Sequence, residues 1–114
     1  MSVEIDNKYE LKMVLDTGAT HTTIDSTALY LSGYNLKDNI GTVQIETANV
    51  IIETEVFEVG VFSSLGQTKN KFQIQVYDFF SHGVFSDYNG LLGLDFLEGT
   101  KFSIDMKSNT ITLD

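Results

Sequence analysis

The sequence predicts an all-β domain with one or two short helices. Apolar and polar residues alternate with a period of two along most of the 114-residue chain, which is typical of half-buried strands. Turn-forming residues such as Asn, Gly and Ser recur between these runs, and helical spacing is confined to two short stretches. Hydrophobic residues make up 42% of the chain, so we expect a folded protein, and its length suits a single domain over residues 1–114.

The first half begins with an alternating hairpin whose second strand runs directly into Asp16. The remaining elements of this half follow from turn and capping residues. They are strands at 3–5 and 9–15 joined by a turn at 6–8, and a helix at 27–31 that Asp25 or Ser26 caps and Gly33 ends.

The second half is again dominated by alternation. A long hairpin is predicted first, with its tip near Asn49, and a second hairpin closes the chain. The predicted elements are strands at 43–45 and 50–62, a polar loop at 63–70, a strand at 72–77, a loop at 79–89, a short strand with helical turns at 91–97, and a hairpin at 102–113.

Composition excludes several classes of function. The formal net charge is −9, from 16 acidic against 7 basic residues, which argues against nucleic acid or an anionic membrane surface as the main partner. The absence of cysteine excludes disulfides and thiolate metal sites, and His21 and His82 have no metal-site spacing. No apolar run approaches the ~20 residues of a membrane span, no signal-peptide core begins the chain, and nothing fixes its compartment.

The most informative motif is the apolar run Met13-Val14-Leu15 followed by Asp16-Thr17-Gly18, which occurs once. It places a carboxylate on a tight turn at the end of a buried strand, where an ionised carboxylate is costly without a partner. One interpretation is catalysis by a pair of carboxylates that share a proton, which needs a second subunit to supply the other copy. The alternative is an Asp that begins a turn and bonds its own backbone.

The chain resembles the retropepsin-like aspartic proteases, and it is most similar to their cellular, mainly bacterial, branch. The resemblance rests on Leu15-Asp16-Thr17-Gly18-Ala19 and, later, on Asn89-Gly90-Leu91-Leu92-Gly93 followed by a terminal hairpin. It implies a partly closed β-barrel that works as a homodimer, with Asp16 of each subunit at the twofold axis. It also implies that Thr17 holds the two turns together across the dimer and that Gly18 lets the peptide backbone approach.

The resemblance further implies a substrate-covering flap formed by the hairpin around 45–52. The residues then expected to contact substrate are Ala19, Thr20, Ile45, Thr47, Ala48, Asn49 and Leu91, with Val50 and Ile52 beside them. Two features depart from the family. No glycine lies between Gly41 and Gly60, and the viral Arg–Asp ion pair is replaced by Leu94 and Thr20.

The function predicted from these observations is an aspartic endopeptidase that cleaves extended peptide segments without a metal or organic cofactor. Its expected partners are a second copy of the chain and a peptide substrate. Two alternatives remain open at this point. The chain could be an inactive module of the same fold that binds peptides, or a monomeric β-barrel that binds a small molecule.

Overall fold

The computed structural model describes residues 1–46, 51–78 and 88–113. The strands are β1 Ser2–Ile5, β2 Tyr9–Leu15, β3 Thr23–Asp25, β4 Gly41–Glu46, β5 Ile51–Ser64, β6 Gln67–Tyr77, β7 Gly90–Leu92, β8 Phe102–Asp105 and β9 Thr110–Leu113. The helices are α1 Ser26–Leu31 and α2 Leu94–Leu97. Within the described ranges, neither helix has the length and apolarity needed to cross a membrane.

The main sheet closes into a six-stranded barrel, which confirms the predicted fold class. Its strand order is β1-β2-β7-β3-β6-β5-β4, and β1 pairs a second time with β5 through Glu4–Ser63 and Ile5–Phe62. Strand β4 lies outside the barrel on the other edge of β5. The short strand β7 lies between β2, to which it is parallel, and β3, to which it is antiparallel. A segment from late in the chain is therefore inserted between two strands from its first 25 residues.

The core is built from the inward-facing residues of the alternating strands, as the period of two requires. Phe62, Phe72 and Phe96 form an aromatic cluster with ring centroids 4.9, 5.3 and 5.9 Å apart. Phe62 and Phe96 are fully buried, so this cluster fixes α2 against the long hairpin of β5 and β6.

Helix α1 is capped at both ends as the sequence indicates. The Asp25 carboxylate accepts hydrogen bonds from the Thr27 and Ala28 backbone N–H groups at 3.1 and 3.3 Å. The helix begins at Ser26, one residue earlier than predicted, and it is followed by Gly33 with a φ of 92°.

The predicted polar loop at 63–70 is wrong. β5 continues to Ser64 and β6 begins at Gln67, so only Leu65 and Gly66 form the turn, with φ values of 55° and 78°. The polar residues of this stretch belong to paired strands, and the Ser63 hydroxyl lies 3.0 Å from that of Thr68 across the ladder. These residues are polar because they lie on paired strands near solvent, and their polarity does not indicate an irregular loop.

The turn between β1 and β2 is tied to the barrel through Asp6. The Tyr34 hydroxyl donates to Asp6 Oδ2 at 2.7 Å, and Asp6 Oδ1 accepts from the Val61 N–H at 3.0 Å. The Gly60 N–H donates to the Tyr34 hydroxyl oxygen at 3.3 Å. Burial, together with the hydrogen bond to Asp6, raises the pKa of Tyr34 to about 12.

Strands β8 and β9 form a two-stranded sheet that is separate from the barrel. The register places Phe102 opposite Leu113 and Ile104 opposite Ile111, so these four apolar side chains share one face. The other face carries Ser103, Asp105, Thr110 and Thr112. Phe102 and Ile104 are 37% and 47% exposed, so the apolar face of this hairpin is incompletely covered by its own chain.

Candidate active site

Asp16 lies where β2 leaves the centre of the sheet. Its backbone N–H donates to the Leu92 carbonyl oxygen at 3.0 Å, which extends the parallel pairing of β2 and β7 by one residue beyond Leu15. The residue is half-buried. The position of its Cα is therefore fixed by the ladder of the barrel and not by a free loop.

The turn after Asp16 orients its carboxylate. The Gly18 N–H donates to Asp16 Oδ1 at 2.9 Å, and the Ala19 N–H donates to the Asp16 carbonyl oxygen at 3.0 Å. Among the described residues, no other group bonds the carboxylate. Thr17 and Gly18 are both exposed. The Gly18 N–H thus fixes Oδ1 of Asp16, and the exposed Thr17 and Gly18 are accessible to a second molecule.

Two glycines let β7 lie against the backbone of its neighbour. A Cβ at Gly93 would come 2.6 Å from the His21 carbonyl carbon and 2.9 Å from the Thr22 nitrogen. A Cβ at Gly90 would collide with the carbonyl oxygen of Thr23. Both contacts are with backbone, which cannot move aside as a side chain can. The apolar-Gly step of the sequence is therefore a packing requirement of the strand beside Asp16.

The segment after the turn is held by a buried contact between Thr22 and Asp95. Thr22 has no exposed surface. Its hydroxyl donates to Asp95 Oδ1 at 2.7 Å, and its N–H donates to Asp95 Oδ2 at 2.9 Å. The same hydroxyl accepts from the Gly93 N–H at 3.1 Å, and the Leu94 N–H donates to the Ala19 carbonyl oxygen at 2.9 Å. These bonds attach the segment from Ala19 to Thr22, directly after the Asp16 turn, to the start of α2.

Asp95 therefore has a structural role, and Thr22 is a site residue that sequence reasoning missed. The available signal was weak. A Thr within a β-branched run looks like any strand residue, and its partner lies 73 positions away.

The sheet has a second, half-exposed face on the side of Asp16. Asp16 follows Val14 by two positions, so both lie on the same side of the sheet. Val14 opposes Leu91 in the register, Leu91 opposes Thr23, Thr23 opposes Gln75, and Gln75 opposes Val56. We refer to this line of residues as the cleft row: Val14, Leu91, Thr23, Gln75 and Val56.

The cleft row differs from the row next to it on the core side. Met13, Ile24 and Val76 are buried, whereas Val14 is 37% exposed and the other four members of the cleft row are half-buried. Of the cleft row, sequence reasoning identified only Leu91. Alternation within the strand predicted at 72–77 puts Gln75 on the face opposite to Ile74 and Val76, but only the register connects it to the row of Val14.

The other predicted contact residues are distributed as follows. Ala19 and Thr20 lie on the turn, and the Thr20 hydroxyl is 3.0 Å from Nδ1 of His21. The backbone of Ile45 pairs with Ile52 in the ladder of β4 and β5. The predicted flap tip, Thr47, Ala48 and Asn49, lies outside the described residues, as does Val50. In the described ranges, no cluster of three or more His, Asp or Glu side chains could hold a metal ion.

Residues 1–96 match the profile of a family described as aspartyl protease. Among solved structures, the chain is similar to a retropepsin-like aspartic protease from Rickettsia conorii, with a TM-score of 0.72, 22% identity, and coverage of 99% of this chain and 79% of that one. It is also similar to the protease of simian foamy virus, with a TM-score of 0.58, 22% identity, and coverage of 85% and 89% respectively. None of the curated proteins matches it. At this identity the two structures show the fold alone.

Proposed function

Because this chain belongs to the aspartyl protease family, we propose that it is an endopeptidase in which Asp16 of two subunits activates a water molecule. The observation that carries this proposal is the geometry of Asp16. It lies at the end of a central strand, on an exposed turn, with Oδ1 fixed at 2.9 Å from the Gly18 N–H. The motif occurs once in the chain, so the second carboxylate comes from a second copy.

The chemistry follows from two carboxylates held within hydrogen-bond distance. Two like charges so close do not both ionise readily, so the pair shares one proton and titrates as a unit. The ionised carboxylate removes a proton from the water, and the oxygen of that water bonds to the carbonyl carbon of the peptide. The protonated carboxyl group donates its proton to the carbonyl oxygen. The resulting diol collapses, the C–N bond breaks, and the leaving nitrogen takes a proton from the pair. One diol hydroxyl returns its proton to the pair as the new carboxyl group forms, so the pair again holds one shared proton.

The hairpin of β8 and β9 supports the homodimer. An isolated two-stranded hairpin is at best marginally stable, and this one leaves Phe102 and Ile104 partly exposed on a single apolar face. Each subunit carries a net charge of −9, so two copies repel each other and need apolar contact to associate. A second copy packed on this face would supply that contact.

The substrate is an extended polypeptide segment. The paired strands β4 and β5 run toward the predicted flap, and a peptide lying along them would bond through its backbone as an additional strand. The cleft row would lie beneath its side chains. Val14, the exposed member of this row, lies two positions before Asp16 on the same face of the sheet.

The test is cleavage of an unbiased peptide library by the wild type, Asp16→Asn and Asp38→Asn, from about pH 3.5 to about pH 7.5. Asp38 is exposed and far from the turn in sequence, so the same substitution there controls for loss of charge. We expect cleavage by the wild type and Asp38→Asn, none by Asp16→Asn, and inhibition by a transition-state mimic of the pepstatin type. The rate should fall at both pH limits, where the pair is doubly protonated or doubly ionised. Retained cleavage in Asp16→Asn would refute the proposal, and a folded wild-type dimer that binds peptides without cleaving them would indicate an inactive peptide-binding module.

A further inference from the structure

The centre of the cleft row is polar, although its ends are apolar. Thr23 and Gln75 oppose each other across β3 and β6, between Leu91 on one side and Val56 on the other. The two strands are parallel and neighbouring strands lie about 4.8 Å apart, so these two side chains are adjacent on one face of the sheet. Both are half-buried.

The hydrogen-bonding capacity of this patch is largely unused. Within the described part of the chain, the Gln75 side-chain amide has no hydrogen-bond partner. The Thr23 hydroxyl reaches only the His21 carbonyl oxygen, at 3.5 Å, and keeps its acceptor lone pairs. The patch therefore offers both donors and acceptors to a ligand.

From these observations we infer that Thr23 and Gln75 form a subsite that selects a substrate side chain ending in a carboxamide or a hydroxyl. This inference rests on the proposed protease function. Asn, Gln, Ser and Thr both donate and accept, as the two groups require. Neither group is charged, so the subsite gives no partner to an ionised substrate side chain.

Substitution of Gln75 by Leu tests the subsite, because Leu preserves the approximate size and removes the amide. In library cleavage, the wild type should enrich the four polar residues at one fixed position relative to the scissile bond. Gln75→Leu should shift that position toward Leu and Met by about tenfold, the ratio expected for one net hydrogen bond. Thr23→Val, which changes a hydroxyl for a methyl group, should shift it in the same direction.

Gln73→Leu is the matched control. Gln73 lies on the same strand and the same face, but it opposes Glu58, outside the cleft row. It should leave the preference at every position unchanged. An apolar preference of the wild type at every position, or the same profile in Gln75→Leu and wild type, would overturn the subsite while leaving the protease intact.

Binding separates failure of the subsite from failure of the protease. Peptides that vary in one side chain are presented to Asp16→Asn and to the double variant Asp16→Asn with Gln75→Leu. Preferential binding of amide or hydroxyl peptides, lost in the double variant, would support the subsite even if the wild type cleaved nothing. Equal binding by both proteins, or no binding by either, would overturn it.

Discussion

Thr22→Val tests the buried frame behind the Asp16 turn. The substitution preserves shape but removes a hydroxyl that donates to Asp95 at 2.7 Å and accepts from the Gly93 N–H at 3.1 Å. The bond to the carboxylate is worth about 1.5–3 kcal/mol, and a buried N–H left unpaired costs about 1–3 kcal/mol. The new methyl group returns about 0.8 kcal/mol of apolar burial. The expected net loss in the free energy of unfolding is about 3 kcal/mol.

The assay is urea denaturation at one fixed protein concentration, because dimerisation would otherwise change the apparent stability. A loss of about 3 kcal/mol corresponds to a fall in Tm of about 10 °C for a domain of this size. Thr23→Val is the matched control, since that hydroxyl makes only a 3.5 Å contact, and it should cost less than about 0.5 kcal/mol. Thr22→Ser should recover most of the loss. A Thr22→Val protein within about 1 kcal/mol of wild type would refute the reasoning.

Two further predictions concern association and pH. Ile104→Lys should raise the dissociation constant of the dimer at least about tenfold and lower cleavage at low protein concentration, since it buries a charge in the proposed interface. Ser103→Lys adds the same charge to the polar face of the same hairpin and should leave sedimentation unchanged; equal behaviour of the two variants would exclude this face. For Tyr34, the folded-state pKa of about 12 lies above the ordinary tyrosine value of 10.0, so its contribution to stability is complete below about pH 10 and is lost as pH rises toward about 12. The free energy of unfolding of wild type should therefore fall with pH in that window more steeply than that of Tyr34→Phe, and equal slopes would contradict the assignment.

Local patterns were sufficient for much of the fold. Alternation located the strands, and the Asp25 cap and Gly33 located α1 within one residue. The exception was the stretch 63–70. Its turn requires Leu65 to adopt a φ of 55°, and a leucine in the sequence does not predict a positive φ. Polar residues in a paired strand and in a loop are alike in composition, and only pairing distinguishes them.

The residues of the candidate site also differ in whether local sequence patterns could identify them. The position of Asp16 at the end of a buried strand follows from the order of residues along the chain. Thr22 and Gln75 could not be found in that way, because the role of each depends on a partner in a distant element: Asp95 in α2 for Thr22, and Thr23 on β3 for Gln75. Register and long-range hydrogen bonds are properties of the assembled sheet, and short-range periodicity carries no information about them.

The central position of β7 also bears on the order of folding. The Asp16 turn is synthesised before two groups that fix it, Leu92 and Asp95, and Thr22 and Asp95 lie 73 residues apart. Contacts so distant in sequence form late, because the entropy of closing the intervening loop opposes them until much of the sheet exists. Until β7 inserts between β2 and β3, the turn has only its local bonds, from the Gly18 N–H to the carboxylate and from the Ala19 N–H to the Asp16 carbonyl oxygen. The fold itself delays assembly of the site until synthesis of the barrel is nearly finished.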